Sequence, residues 1–229
     1  MKNKFIIICT LLSIFNTAFT KNCAVALSSQ SPQEKASCLS SIRKDRSELT
    51  SDKLPIPYDY LLTQPLMTKG IENYYQRTPI IKTIYAMKSS DNKLYSRAIT
   101  MLIDPNKTRN FPELARKKKE AIVVELAFIT MNFKELPETV TTGVLKTNTP
   151  FGTLLSKSNV KILTTNRTYF STKCYKKLSS LTRCKLNSLI YGRTNTIVRS
   201  DNSKWLAHVV EILPGFLSHT FLKKPNKIA

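Results

Sequence analysis

From Tyr58 to Tyr75 the apolar residues Leu61, Leu62, Leu66, Ile71 and Tyr75 recur at helical spacing, with Pro65 breaking or turning the helix and Pro79 closing it. The stretch Ile80 to Met87, the polar Ser89-Ser90-Asp91-Asn92 and the stretch Leu94 to Ile103 read as a hairpin that Asp104-Pro105 ends. Pro112 opens a basic helix from Glu113 to Glu120. The apolar run Ala121 to Phe133, interrupted by Glu125, fits either a strand or a buried helix. Leu136-Pro137-Glu138 begins a helix through Leu145, Thr149-Pro150 interrupts it, and Phe151 to Lys157 adds another turn or two. Val160 to Leu163 and Arg167 to Tyr175 alternate weakly as strands, and Lys176 to Leu186 reads as a lysine-rich turn or short helix. Leu189 to Val198 and Trp205 to Leu213 make a second hairpin around Ser200-Asp201-Asn202. Strands at both ends with helices between predict an α+β fold, a single mainly antiparallel sheet with helices packed on one face.

The ends of the chain read differently. Lys2 and Lys4 precede an apolar run from Phe5 to Phe15, the pattern of a secretory signal peptide, with small residues allowing cleavage after Thr20 or after Ala26. That run is about half the ~20 residues needed to span a bilayer, so the mature chain is expected to carry no transmembrane span and to be exported. Residues 27 to 57 form a polar lead-in with one helix from Ser31 to Leu39, residues 58 to 218 the packed domain, and residues 219 to 229 a basic tail. In an oxidising compartment Cys23 with Cys38, and Cys174 with Cys184, are the expected local disulfides; buried free thiols are the alternative.

Composition narrows the chemistry. The 229 residues carry 36 Lys and Arg against 15 Asp and Glu, a formal charge of +21 that favours anionic partners. Five widely spaced glycines leave no phosphate-cradling loop, so nucleotide cofactors are not expected. With two histidines and no Cys-x-x-Cys pair, no metal site is expected either. The clusters Lys117 to Lys119, Lys176-Lys177 and Lys223-Lys224 are solvated faces that also offer docking to an anionic surface or polyanion. A monomer is the expected state.

Four blocks carry something more specific. Tyr58 to Lys69 reads Tyr-Asp-Tyr-Leu-Leu-Thr-Gln-Pro-Leu-Met-Thr-Lys, and a hairpin runs from Lys82 to Arg97. Thr149 to Leu155 reads Thr-Pro-Phe-Gly-Thr-Leu-Leu, and Tyr191-Gly192-Arg193 leads through a turn to Val209-Val210-Glu211-Ile212-Leu213-Pro214. In this order, and over most of residues 58 to 214, the blocks resemble the chorismate pyruvate-lyase family. The resemblance implies a chorismate lyase-like fold with an internal cavity and cofactor-free elimination of pyruvate from chorismate to leave 4-hydroxybenzoate. By the same resemblance Met67 and Phe151 line the cavity, Lys82 stands at the family's carboxylate-binding arginine, and Glu211 is the acid. Arg97 and Arg193 are further substrate-binding candidates, and Arg77 is an alternative donor. His208 reads as a surface or satisfied histidine.

This sequence departs from the family in several places. Lys82 lacks arginine's planar fork, Glu211 stands one residue nearer its Leu-Pro than usual, and residues 105 to 134 look inserted, with Ala121 to Phe133 as a replacement strand. Three readings follow. The chain is a chorismate lyase-like enzyme, an exported non-catalytic binder of small aromatic carboxylates on the same cavity, or a basic protein that docks on anionic surfaces. The first two separate on whether Lys82 and Glu211 face one enclosed pocket.

Overall fold

The computed structural model describes residues 46–215. The expected signal segment, the 31 to 39 helix, the Cys23–Cys38 pair, Lys223-Lys224 and the 219 to 229 tail lie outside them. Seven strands form one antiparallel sheet: β1 (Ser47–Leu49), β2 (Ile80–Lys88), β3 (Leu94–Ile103), β4 (Ile122–Asn132), β5 (Ile162–Lys173), β6 (Leu189–Arg199) and β7 (Trp205–Leu213). Their spatial order is β1-β5-β6-β7-β4-β3-β2. The helices are α1 (Tyr58–Thr63), α2 (Met67–Tyr75), α3 (Pro112–Lys117), α4 (Glu138–Lys146), α5 (Phe151–Lys157) and α6 (Lys176–Thr182). The single-sheet α+β class read from the hydrophobic pattern is the class the chain adopts. Among the described residues no helix is long and apolar enough to cross a membrane.

The ambiguous Ala121 to Phe133 run resolves as β4, which pairs with β3 on one side and β7 on the other. A strand flanked on both sides and buried on both faces reads as a continuous apolar run, so alternation could not identify it. The two weak segments around residues 160 to 175 are one strand. Its register with β6 shifts between Thr165 and Thr168, where Asn166 takes a left-handed φ of 53°. This irregularity is what broke the alternation. The end of the expected lead-in is also part of the sheet, since β1 pairs with β5 through Ser47 to Leu49, and Leu54 is buried.

Strand parity divides the sheet into two faces. One presents Ile99 and Met101 from β3, Ala127 and Ile129 from β4, and Val209 and Leu213 from β7 to the principal core. The helical layer of α1, α2, α4 and α5 completes that core with Leu61, Leu62, Ile71, Val140, Val144 and Leu155. Gly143 lets α4 and α5 approach closely, because a Cβ there would stand 2.5 Å from Leu154 Cδ2. Short α6 packs against β4, and its Leu178 is buried outside the principal core. The disulfide Cys174–Cys184 closes the loop that carries α6.

Candidate functional site

Between the helical layer and the sheet lies a cavity of about 30 Å³, lined by Leu66, Met67 and Thr68, Phe151 and Gly152, and the inward residues of β2, β3, β4, β6 and β7. By the roughly 10–15 Å³ needed for one water centre, it has room for about two waters. Proline sets its helical wall. Leu66, the residue after Pro65, caps α2 in an extended conformation and places Met67 at the first helical position. Pro150 does the same for Phe151 in α5. The two helix starts touch, since a Cβ on Gly152 would stand 3.0 Å from Thr68 Oγ1.

Two polar ends interrupt the apolar lining. The first is Arg97 on β3, only 1% exposed. Its Nη1 donates to the Val144 carbonyl at 3.3 Å, while its Nε and Nη2 have no partner among the described residues. Burial pushes its pKa down to about 10, against a slight upward pull from Tyr95. Arginine remains a cation at neutral pH, so this is a desolvated charge that no carboxylate among the described residues neutralises.

The second end is a pair of carboxyls, Glu125 on β4 and Glu211 on β7. Glu211 accepts from Arg193 Nε at 2.5 Å, and Arg193 Nη1 donates to the carbonyls of Leu62, at 2.8 Å, and Gln64. Arg193 thus gathers the carbonyls left over at the end of α1 and ties them to the sheet. Arg167 assists by donating to Thr63 O at 2.6 Å. Glu125 is 2% exposed. Burial first, then the Glu211 carboxylate, hold its pKa well above the usual carboxylate range, with Arg193 pulling the other way. The raised pKa favours a protonated Glu125 that hydrogen-bonds to Glu211, and its Oε2 has no partner among the described residues. With Glu211 matched by Arg193 and Glu125 neutral, the cavity's uncompensated charge is that of Arg97.

The positions expected from sequence divide into three groups. Met67, Phe151, Arg97 and Glu211 all line the cavity. Arg193 lies behind it, as the partner of Glu211. Lys82 does not belong to it. Its neighbour Ile81 lines the cavity, so by strand alternation Lys82 lies on the reverse face, opposite Thr100, and it is exposed. Lys82 and Glu211 therefore do not share a pocket, so Lys82 cannot be the clamp expected there; the basic residue of this hairpin that lines the cavity is Arg97, on the next strand. Arg77 is also outside, donating to the carbonyls of Asn106 at 3.0 Å and Lys107 at 3.3 Å. His208 is exposed, 3.0 Å from Thr196 Oγ1 and stacked on Trp205. Sequence reasoning missed the role of Glu125, although one carboxylate inside an apolar strand was the available signal. Among the described residues no group of His, Cys, Asp and Glu is arranged to hold a metal ion.

No protein-family model matches the chain, and no curated protein sequence matches it. Solved structures do. PhnF from Mycobacterium smegmatis matches with TM-score 0.45 at 7% identity over 67% of this chain and 65% of its own. A gene product from Staphylococcus aureus matches with TM-score 0.44 at 9% identity over 66% of this chain and 89% of its own. The ligand-binding domain of a GntR-family transcriptional regulator from Bordetella bronchiseptica matches with TM-score 0.41 at 4% identity, over 66% and 92% respectively. At these scores and identities the likeness assigns neither a family nor a ligand to the chain.

Proposed function

We propose that this protein binds a small organic monoanion, of the aromatic carboxylate class, with Arg97 as the clamp. The observation that carries this reading is the Arg97 guanidinium, buried at 1% exposure with Nε and Nη2 unpartnered and lining a cavity. A buried cation without a counter-charge is strongly disfavoured, and a ligand carboxylate supplies both the charge and the acceptors that Nε and Nη2 lack. Ile99, Ala127, Val209, Ile197 and Phe151 give the rest of the ligand an apolar surround. Because the cavity holds about two waters, an aromatic ring enters by displacing the starts of α2 and α5 from the sheet.

A chorismate lyase-like activity is the second reading, favoured by the neutral Glu125 acid beside Glu211 in the same cavity. Binding takes precedence because chorismate is a dicarboxylate. Among the described residues Arg97 is the one cation that lines the cavity, and Arg193 behind it is engaged by Glu211 and by main-chain carbonyls. The Lys2/Lys4 and Phe5 to Phe15 pattern and the Cys174–Cys184 disulfide support export to an oxidising compartment as part of this reading. Calorimetric titration with benzoate and 4-hydroxybenzoate tests it. Saturable binding by the wild type is expected, weakened roughly tenfold to a hundredfold in Arg97→Met. Equal affinity in both proteins would refute the clamp. Pyruvate release from chorismate by folded protein would move the assignment to the lyase reading.

A further inference from the structure

Beyond the cavity, the loop closed by Cys174–Cys184 gathers positive charge and apolar surface in one place. No Asp or Glu occurs between Glu138 and Asp201, so the segment that carries α6 has no acidic residue of its own. Lys173, Lys176, Arg183 and Lys185 are exposed, and none of them takes part in an ion pair among the described residues. Leu186 is 53% and Leu189 49% exposed. These residues share a surface. Lys173 faces Leu189 directly across the β5–β6 ladder. Lys176 opens α6 and Arg183, exposed in a left-handed conformation, caps its far end.

The loop is held in this arrangement. The disulfide joins its ends, Asn187 N donates to Cys174 O at 2.8 Å, and Cys174 N donates to Ser188 O at 2.8 Å. Ser179 Oγ donates to the Cys184 carbonyl at 2.9 Å. A rigid platform binds without the ordering penalty of a flexible basic tail.

We propose that this stapled loop docks the protein on an anionic lipid surface, with Lys173, Lys176, Arg183 and Lys185 on the headgroups and Leu186 and Leu189 at the acyl boundary. The leucines decide the partner class. A nucleic acid or other hydrophilic polyanion uses the cations but gives two exposed leucines nothing to enter, whereas a bilayer accommodates both at once. Each cation close to an anionic membrane strengthens binding by roughly fivefold. The surface shares no residue with the cavity lining, so carboxylate binding and membrane docking stand or fall separately.

Vesicle co-sedimentation of the full chain tests the proposal, with phosphatidylcholine vesicles compared with vesicles containing about one-third phosphatidylglycerol. Every protein carries the same terminal segments, so differences between variants report the loop. Expected is binding to the anionic vesicles that falls steeply with added salt and is much weaker on the neutral ones. Lys173→Gln/Lys176→Gln/Arg183→Gln/Lys185→Gln should weaken it roughly a hundredfold or more, and Leu186→Ser/Leu189→Ser roughly tenfold. Arginine at the three lysines should retain binding, which separates charge from local structure. Equal binding to both vesicle types would overturn the proposal. Unchanged vesicle affinity in the leucine variant would also overturn it, as would heparin binding tighter than the vesicles, since either result makes the patch a plain polyanion site.

Discussion

Replacing Arg97 with methionine should make the ligand-free protein more stable and shrink the stabilisation that ligand confers. Burial pushes the Arg97 pKa from the ordinary arginine value down to about 10, which at about 1.36 kcal/mol per unit is on the order of 3 kcal/mol against the charged form. The sign follows from linkage. A base whose folded pKa is depressed loses its proton more readily when folded, so the penalty is full below pH 10, including neutral pH, and is relieved only as pH rises above that toward the pKa of the unfolded chain. Methionine removes the buried charge, forfeits one hydrogen bond to Val144 O worth about 1 kcal/mol, and fills most of the volume. The net expectation is a gain of about 1–2 kcal/mol, or roughly 2–8 °C in Tm for a domain of this size. Calorimetric melting with and without 4-hydroxybenzoate measures both halves. At a hundredfold excess over the wild-type Kd the wild type should gain about 2.7 kcal/mol, whereas Arg97→Met, binding tenfold to a hundredfold more weakly, should gain only about 0.4–1.4 kcal/mol. A variant destabilised by 2 kcal/mol or more, and shifted by ligand as far as the wild type, would refute the account of Arg97 as an unneutralised clamp.

Other consequences are as direct. Glu125→Gln keeps the shape of a carboxyl already protonated when folded, so it should match wild-type stability near pH 4.5. Wild type should lose stability relative to it as pH rises, because the raised folded pKa makes the native state hold a proton that the unfolded chain releases. Urea midpoints at pH 5 and pH 8 measure the divergence. Lys82→Ala should leave carboxylate affinity unchanged in calorimetric titration, since the side chain is exposed on the face away from the cavity. Cys174→Ala/Cys184→Ala opens a bridge of sequence separation 10. By loop-closure entropy it should lower stability by about 2.7 kcal/mol in urea unfolding.

Local chemistry determined much of this protein. The hairpins β2–β3 and β6–β7 were legible because polar turns separate runs of strand-forming residues. The starts of α2, α4 and α5 were legible because a proline precedes each within two residues. Met67, Phe151 and Glu211 were placed in the cavity by their motifs, and Arg97 was among the binding candidates. What the sequence left open depended on partners distant in the chain. Whether Ala121 to Phe133 was strand or helix rested on β3 and β7 lying on either side of it, which no local pattern records. Lys82 and Arg97 are both basic residues on strands of one hairpin. Only the register of that hairpin, and the core that one face meets, sends Arg97 inward and Lys82 to solvent. The chemistry of Glu125 was likewise a tertiary matter. A glutamate is an ordinary acid in the sequence, and it becomes a neutral buried one only because folding strips its water and brings Glu211 beside it.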